Sequence, residues 1–166
     1  MPDLHRFLEA QANARADHAK AIAELQRGRK QSHWIWYVFP QIIGLGRSEI
    51  TERFAIEDID EGRAYLAHPL LGLRLLEIAE IVLNQLRSPQ SVPLEDLMGG
   101  RTDALKLVSS LTLFRLIAQQ MTSDTDPTVA ERAAKLAGCC SDVLDIATIQ
   151  GFPACAFTQR TVAKAQ

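Results

Sequence analysis

The chain has no long hydrophobic run. Its most apolar uncharged stretch, residues 34–46, is well short of the roughly 20 residues that span a bilayer and is broken by Pro40, so no membrane-crossing helix is expected. No uninterrupted apolar segment follows Met1-Pro2-Asp3-Leu4-His5-Arg6-Phe7 either, which argues against a secretory signal. Cysteine is scarce: three residues, an odd number, with Cys139 and Cys140 adjacent and able to bridge only through a strained ring. That excludes a disulfide framework and points to reduced, packing thiols in a cytoplasmic protein. The histidine nearest to these cysteines in sequence is His68, so no zinc spacing exists and no metal site is expected. Charge of one sign is also lacking, with 18 basic and 20 acidic residues, and a field that would gather nucleic acid or an anionic membrane is absent.

What is present suits one globular domain: 166 residues, 47% hydrophobic and 23% charged, with no repeat and no linker rich in Gly, Ser or Pro. Apolar spacing predicts an all-α architecture, a single compact multi-helix domain of about seven helices over residues 1–151. Residues 152–166 form a C-terminal extension, with membership of the same domain left open. A first helix is expected over 4–26, with Gly28 just past its end. The apolar run 32–39 reads as a buried helix ending before Pro40. Ser48 offers an N-cap for a short helix to about Phe54, and another short helix spans 58–66. Broad apolar faces mark central helices over 70–86 and, capped by Thr102, to about Met121. Asp126-Pro127 starts a helix that Gly138 is expected to end, and 141–150 makes one more.

Four of the ten aromatic residues, Trp34, Trp36, Tyr37 and Phe39, follow directly on Arg27, Arg29 and Lys30. Rings beside cations can hold planar or anionic ligands by stacking and charge, although a core helix with solvated basic neighbours explains the pattern too. His33 lies in this window and is a candidate acid, base or donor, since histidine side chains in general change charge near neutrality, or else a satisfied structural residue among the aromatics. His68, before Pro69 at a helix start, is either a cap or a ligand-facing group. Gly44-Leu45-Gly46-Arg47-Ser48 resembles a small anion nest at a helix N-terminus, but Glu49 and Glu52 follow and no GxGxxG or P-loop lysine is present. Lys106, Ser109, Ser110 and Thr112 form a polar band opposite in part to the apolar face of their helix, which either lines a cavity or is a plain solvated face. No catalytic triad or paired-carboxylate motif stands out, and nothing calls for a cofactor. Residues 1–48 hold 7 basic and 4 acidic groups against 4 and 10 in residues 49–96, so the two regions either attract one another or present a bipolar surface.

The residues Gly28-Arg29-Lys30, Ser32-His33-Trp34, Trp36, Phe39-Pro40-Gln41 and Gly44-Leu45-Gly46-Arg47-Ser48 resemble the bacterial domain of unknown function 1810 family. The similarity continues through Phe54-Ala55-Ile56, Tyr65-Leu66, His68-Pro69, Leu71-Gly72, Arg74-Leu75, Asp103, Lys106, Ser109-Ser110 and Thr112-Leu113-Phe114, over about residues 3–150. Phe54 stands where that pattern has tyrosine, and Leu97-Met98 where it has an aromatic residue. The resemblance implies a compact, cytoplasmic, all-helical protein and no established reaction. The residues themselves suggest a pocket for a small anionic or nucleotide-like ligand. Arg29, Lys30, His33, Trp34, Trp36, Gln41, Gly46, Arg47, Ser48, His68 and Ser109 would bind, and His33 and Lys106 are the candidate catalytic groups. The alternative is a non-enzymatic helical domain that binds a protein partner or a second copy of itself.

Overall fold

Of the three long helices, α6 (Leu71–Arg87), α8 (Arg101–Gln120) and α9 (Pro127–Ile149), α9 packs against both of the others, and the shorter elements close around them. The structure, a computed structural model, describes residues 2–12 and 15–166. Before the long helices come α1 (His5–Gln11), α2 (His18–Gln26), α3 (Ile35–Val38), α4 (Glu49–Arg53) and α5 (Ile59–Ala67). The single turn α7 (Leu94–Leu97) precedes α8, and α10 (Ala156–Lys164) follows α9. All helical is therefore right, but there are ten helices among the described residues rather than about seven.

The differences have local causes. The helix expected over 4–26 is two, α1 and α2; residues 13 and 14 of that span lie outside the described residues. Asp17 begins α2 by accepting a hydrogen bond from the Lys20 N–H at 2.7 Å, and the Tyr37 hydroxyl donates to the Ala16 carbonyl at 2.6 Å, so partners outside a continuous helix satisfy this stretch. Gly100, not Thr102, stands at the N-cap of α8. Conversely, α9 runs straight through Gly138. A glycine there costs about 1 kcal/mol relative to alanine, which the burial of Leu136, Cys139, Cys140, Val143 and Leu144 on the same helix outweighs. The apolar window 32–39 contributes only the single turn α3, whose Ile35, Tyr37 and Val38 are buried.

Three expected starts hold with a side-chain cap: Ser48 caps α4, Asp58 caps α5 and Asp126 caps α9 with Pro127 in its first turn. Gly28 follows α2 at φ +85°, and the Arg29 N–H bonds back to the Glu24 carbonyl at 3.2 Å, closing the helix end. The basic first region and acidic second region meet at Arg6. Arg6 grips both oxygens of Glu61 at 2.8 and 2.9 Å, and its guanidinium also donates to the Arg53 and Ala55 carbonyls. Phe152, Thr158 and Val162 are buried, and α10 lies against α8, so residues 152–166 share the core of the long helices. Among the described residues no helix is long and apolar enough to cross a membrane.

Candidate functional site

Helix α8 presents Thr102, Leu105, Lys106 and Ser109 at i, i+3, i+4 and i+7, one stripe of its surface. Facing that stripe are Gln41, Leu45 and Gly46 from the loop before α4, Thr51 from α4, and Pro153 and Cys155 from the segment leading into α10. Together with Val108 they enclose an open cleft of about 390 Å³, mostly apolar in lining.

The loop wall is held in place by main-chain bonds. Ile56 N–H donates to the Gln41 carbonyl at 2.8 Å and Ile43 N–H to the Ile56 carbonyl at 2.9 Å, a lone parallel bridge. Gly44, at φ +103°, lets the loop approach α10 so closely that a Cβ would sit 2.8 Å from the Phe157 ring. Ser48 shares a 2.6 Å hydrogen bond with the Thr51 hydroxyl, which orients one of the cleft's few polar groups.

Behind the α8 wall runs a chain of charge. Lys30 is buried; its Nζ lies 2.8 Å from Asp103 Oδ2 and 4.9 Å from the Trp34 ring centroid. Lys106 Nζ stands 3.7 Å from the other Asp103 oxygen and 4.7 Å from the Trp36 ring centroid. Glu24 closes the far end: one of its oxygens accepts from the Gln31 and Ser32 N–H groups and from the Trp34 indole at 2.8 to 2.9 Å. Burial would raise that carboxyl, but the donors of Ser32, Gln31 and Trp34 win and hold it down at about 2.

Of the residues singled out in the sequence, Gln41, Gly46, Lys106 and Ser109 meet in the cleft. Trp36 adjoins it under Lys106, its indole Nε1 enclosed and without a hydrogen-bond partner among the described residues. The others do not join them. Trp34 is fully enclosed with its N–H on Glu24, leaving no ring face for a ligand to stack on. Lys30 is committed to Asp103. Arg29, His33, Arg47 and Ser48 are exposed and outside the lining, Ser48 serving as the α4 cap. His68 is at the α5–α6 junction, where its Nδ1 accepts from the Leu70 and Leu71 N–H groups at 3.2 and 3.3 Å, an ordinary cap. Among the described residues no cluster of three or more His, Cys, Asp or Glu is arranged to hold a metal.

Cys155 is a chemically reactive lining residue that the sequence did not mark as part of a site. Cys139 and Cys140 are buried as packing thiols should be, but Cys155 is half-buried and borders the cleft. Its neighbours Gly151 and Pro153 were a turn signal that could have placed it apart from the other two.

Comparison with known proteins adds kinship without a reaction. No functionally curated protein matches the chain. The crystal structure of the conserved hypothetical protein Rv1873 from Mycobacterium tuberculosis is similar, with 34% sequence identity, 98% of this chain and 95% of that one covered, and a TM-score of 0.69. The family model described as a protein of unknown function, DUF1810, matches residues 1–131. That span contains the α8 stripe and the loop wall, whereas Pro153 and Cys155 lie beyond it. The chain belongs to the DUF1810 family.

Proposed function

We propose that the protein binds a small organic anion, a single carboxylate on an apolar body, in the cleft between α4, α8 and the segment entering α10. The observation that carries this reading is Lys106. Asp103 spends its closer contact on Lys30, and at 3.7 Å Lys106 Nζ is beyond hydrogen-bond reach of the remaining oxygen. Its N–H donors are thus available to a solute, in a wall it shares with Gln41 and Ser109. Leu45, Leu105, Val108 and Pro153 supply apolar contact, and a cleft of about 390 Å³ lies within the range of roughly 300–1,000 Å³ common to small-molecule sites.

The sequence suggested a small anionic or nucleotide-like ligand held by several cations. With Arg29 and Arg47 exposed and outside the lining, Lys106 is the one cation in the wall among the described residues, which favours a singly charged carboxylate over a polyphosphate. Thermal unfolding with benzoate, with its neutral amide benzamide, and with AMP tests the idea. Benzoate at a hundred times its Kd stabilises the wild type by about 2.7 kcal/mol, while Lys106→Gln loses the shift and Lys106→Arg keeps part of it. Equal effects of benzoate and benzamide, or a benzoate shift that survives Lys106→Gln, would refute the reading.

A further inference from the structure

We propose that Cys155 is a nucleophile of this cleft, and that the carboxylate held there carries a soft electrophilic carbon which the sulfur attacks. The inference rests on the reading above in placing the carboxylate at Lys106.

Three arrangements support it. Cys155, Lys106 and Ser109 line one cavity, with Lys106 and Ser109 a turn apart on α8 and Cys155 across from them. The cysteine stands at the N-cap of the nine-residue α10, where free N–H groups and the helix dipole favour negative charge. Its own N–H donates to the Thr112 hydroxyl at 3.1 Å, and Thr112 donates onward to the Val108 carbonyl at 2.7 Å, so α8 sets the position of the thiol.

The Cys155 side chain accepts no cap bond from the first turn of α10, and the hydroxyls of Ser109 and Thr158, 3.4 Å from one another and both buried, lie on the two helices that meet here. Burial raises the thiol, and the polar groups of Thr158, Ser109 and Phe157 about it lower it by more, so its pKa lies below the ordinary 9.0. The other two cysteines behave oppositely. Burial pushes Cys139 up to about 12 and Cys140 higher still, leaving both inert.

The step balances without an oxidant or a second substrate. The thiol proton passes to solvent, the sulfur lone pair forms the S–C bond, and the bond from that carbon to its leaving group breaks. The leaving group departs as an anion with the bonding pair, and a thioether remains on Cys155.

Iodoacetate and iodoacetamide test this directly, since they share one electrophilic carbon and differ in a carboxylate. The rate at each cysteine is followed by peptide mass spectrometry at neutral pH, and the iodoacetate-to-iodoacetamide rate ratio is compared with that of N-acetylcysteine. The expected result is alkylation of Cys155 at least about tenfold faster than of Cys139 or Cys140. Its rate ratio should exceed that of the free thiol, falling to the free-thiol value in Lys106→Gln and recovering in Lys106→Arg. Ser109→Ala should slow both reagents, and circular dichroism confirms that each variant is folded. A Cys155 no faster than the buried cysteines overturns the proposal, even if benzoate still stabilises Cys155→Ser and so leaves the binding reading standing. A fast Cys155 whose ratio ignores Lys106 overturns the carboxylate part of it.

Discussion

Lys30 and Asp103 form a 2.8 Å ion pair in which the lysine is almost wholly enclosed while the aspartate keeps partial access to solvent. The asymmetry decides what each partner is worth. Removing a partner from a buried charge leaves that charge uncompensated, at about 3–5 kcal/mol, whereas a pair between partly exposed groups is worth about 0–1 kcal/mol.

Asp103→Ala should therefore destabilise the fold by about 3 kcal/mol, because it strands Lys30. Lys106→Ala, which loses only the 3.7 Å contact and the approach to Trp36, should cost about 1 kcal/mol. Urea unfolding of both variants and of Lys30→Met,Asp103→Ala checks the order. The double variant should recover much of the loss, since it removes the stranded charge along with its partner. Equal costs for Asp103→Ala and Lys106→Ala would mean that Lys30 finds another counter-charge.

Two glycines should respond to alanine with opposite signs. Gly138 lies within α9, and a Cβ there meets nothing within 4 Å, so Gly138→Ala should stabilise by about 0.5–1 kcal/mol. Gly99 sits at φ +75° with a Cβ position 2.8 Å from the Lys30 carbonyl oxygen. Gly99→Ala should cost more than about 1 kcal/mol, and it would loosen the turn in which the Lys30 N–H bonds to the Leu97 carbonyl at 2.7 Å. Thermal unfolding of the two variants against wild type measures both.

These positions also show where sequence is informative. Ser48, Asp58 and Asp126 announce their helices because a cap is a local bond between residues two or three apart. Gly138 misleads because its local cost is outweighed by packing of α9 on α6 and α8, which no window of sequence contains. The same division runs through the cleft. Lys106 and Ser109 are legible as a polar pair on an apolar helix, since helical spacing puts them on one face. That they face Gln41 and Cys155 depends on the bridge between Ile42 and Ile56 and on α10 docking against α8, both long-range. Trp34 and Trp36, two residues apart and alike in composition, end in different places for the same reason. Glu24 draws Trp34 inward, and Lys106 covers Trp36.

Glu24 sets the last expectation, a pH dependence whose sign follows from its donors. Its folded pKa of about 2 lies below the usual 4.5, so the unfolded chain takes up the proton first as acid is added. The stability it contributes is complete above pH 4.5 and is lost as the pH falls from there toward 2. His18 acts in a separate window. Burial lowers its pKa from 6.5, against the opposing pull of Glu77 and aided by Arg74, so its contribution is complete above 6.5 and begins to fall below that value. Glu24→Gln keeps one acceptor for the Gln31, Ser32 and Trp34 donors but removes the charge. It should lower stability at pH 7 by about 1–3 kcal/mol and flatten the slope between pH 4.5 and 2, leaving the fall that starts at 6.5 unchanged. Urea midpoints measured from pH 7.5 to 2.5 for wild type and Glu24→Gln decide it, because parallel curves below pH 4.5 would place the acid-sensitive carboxylate elsewhere.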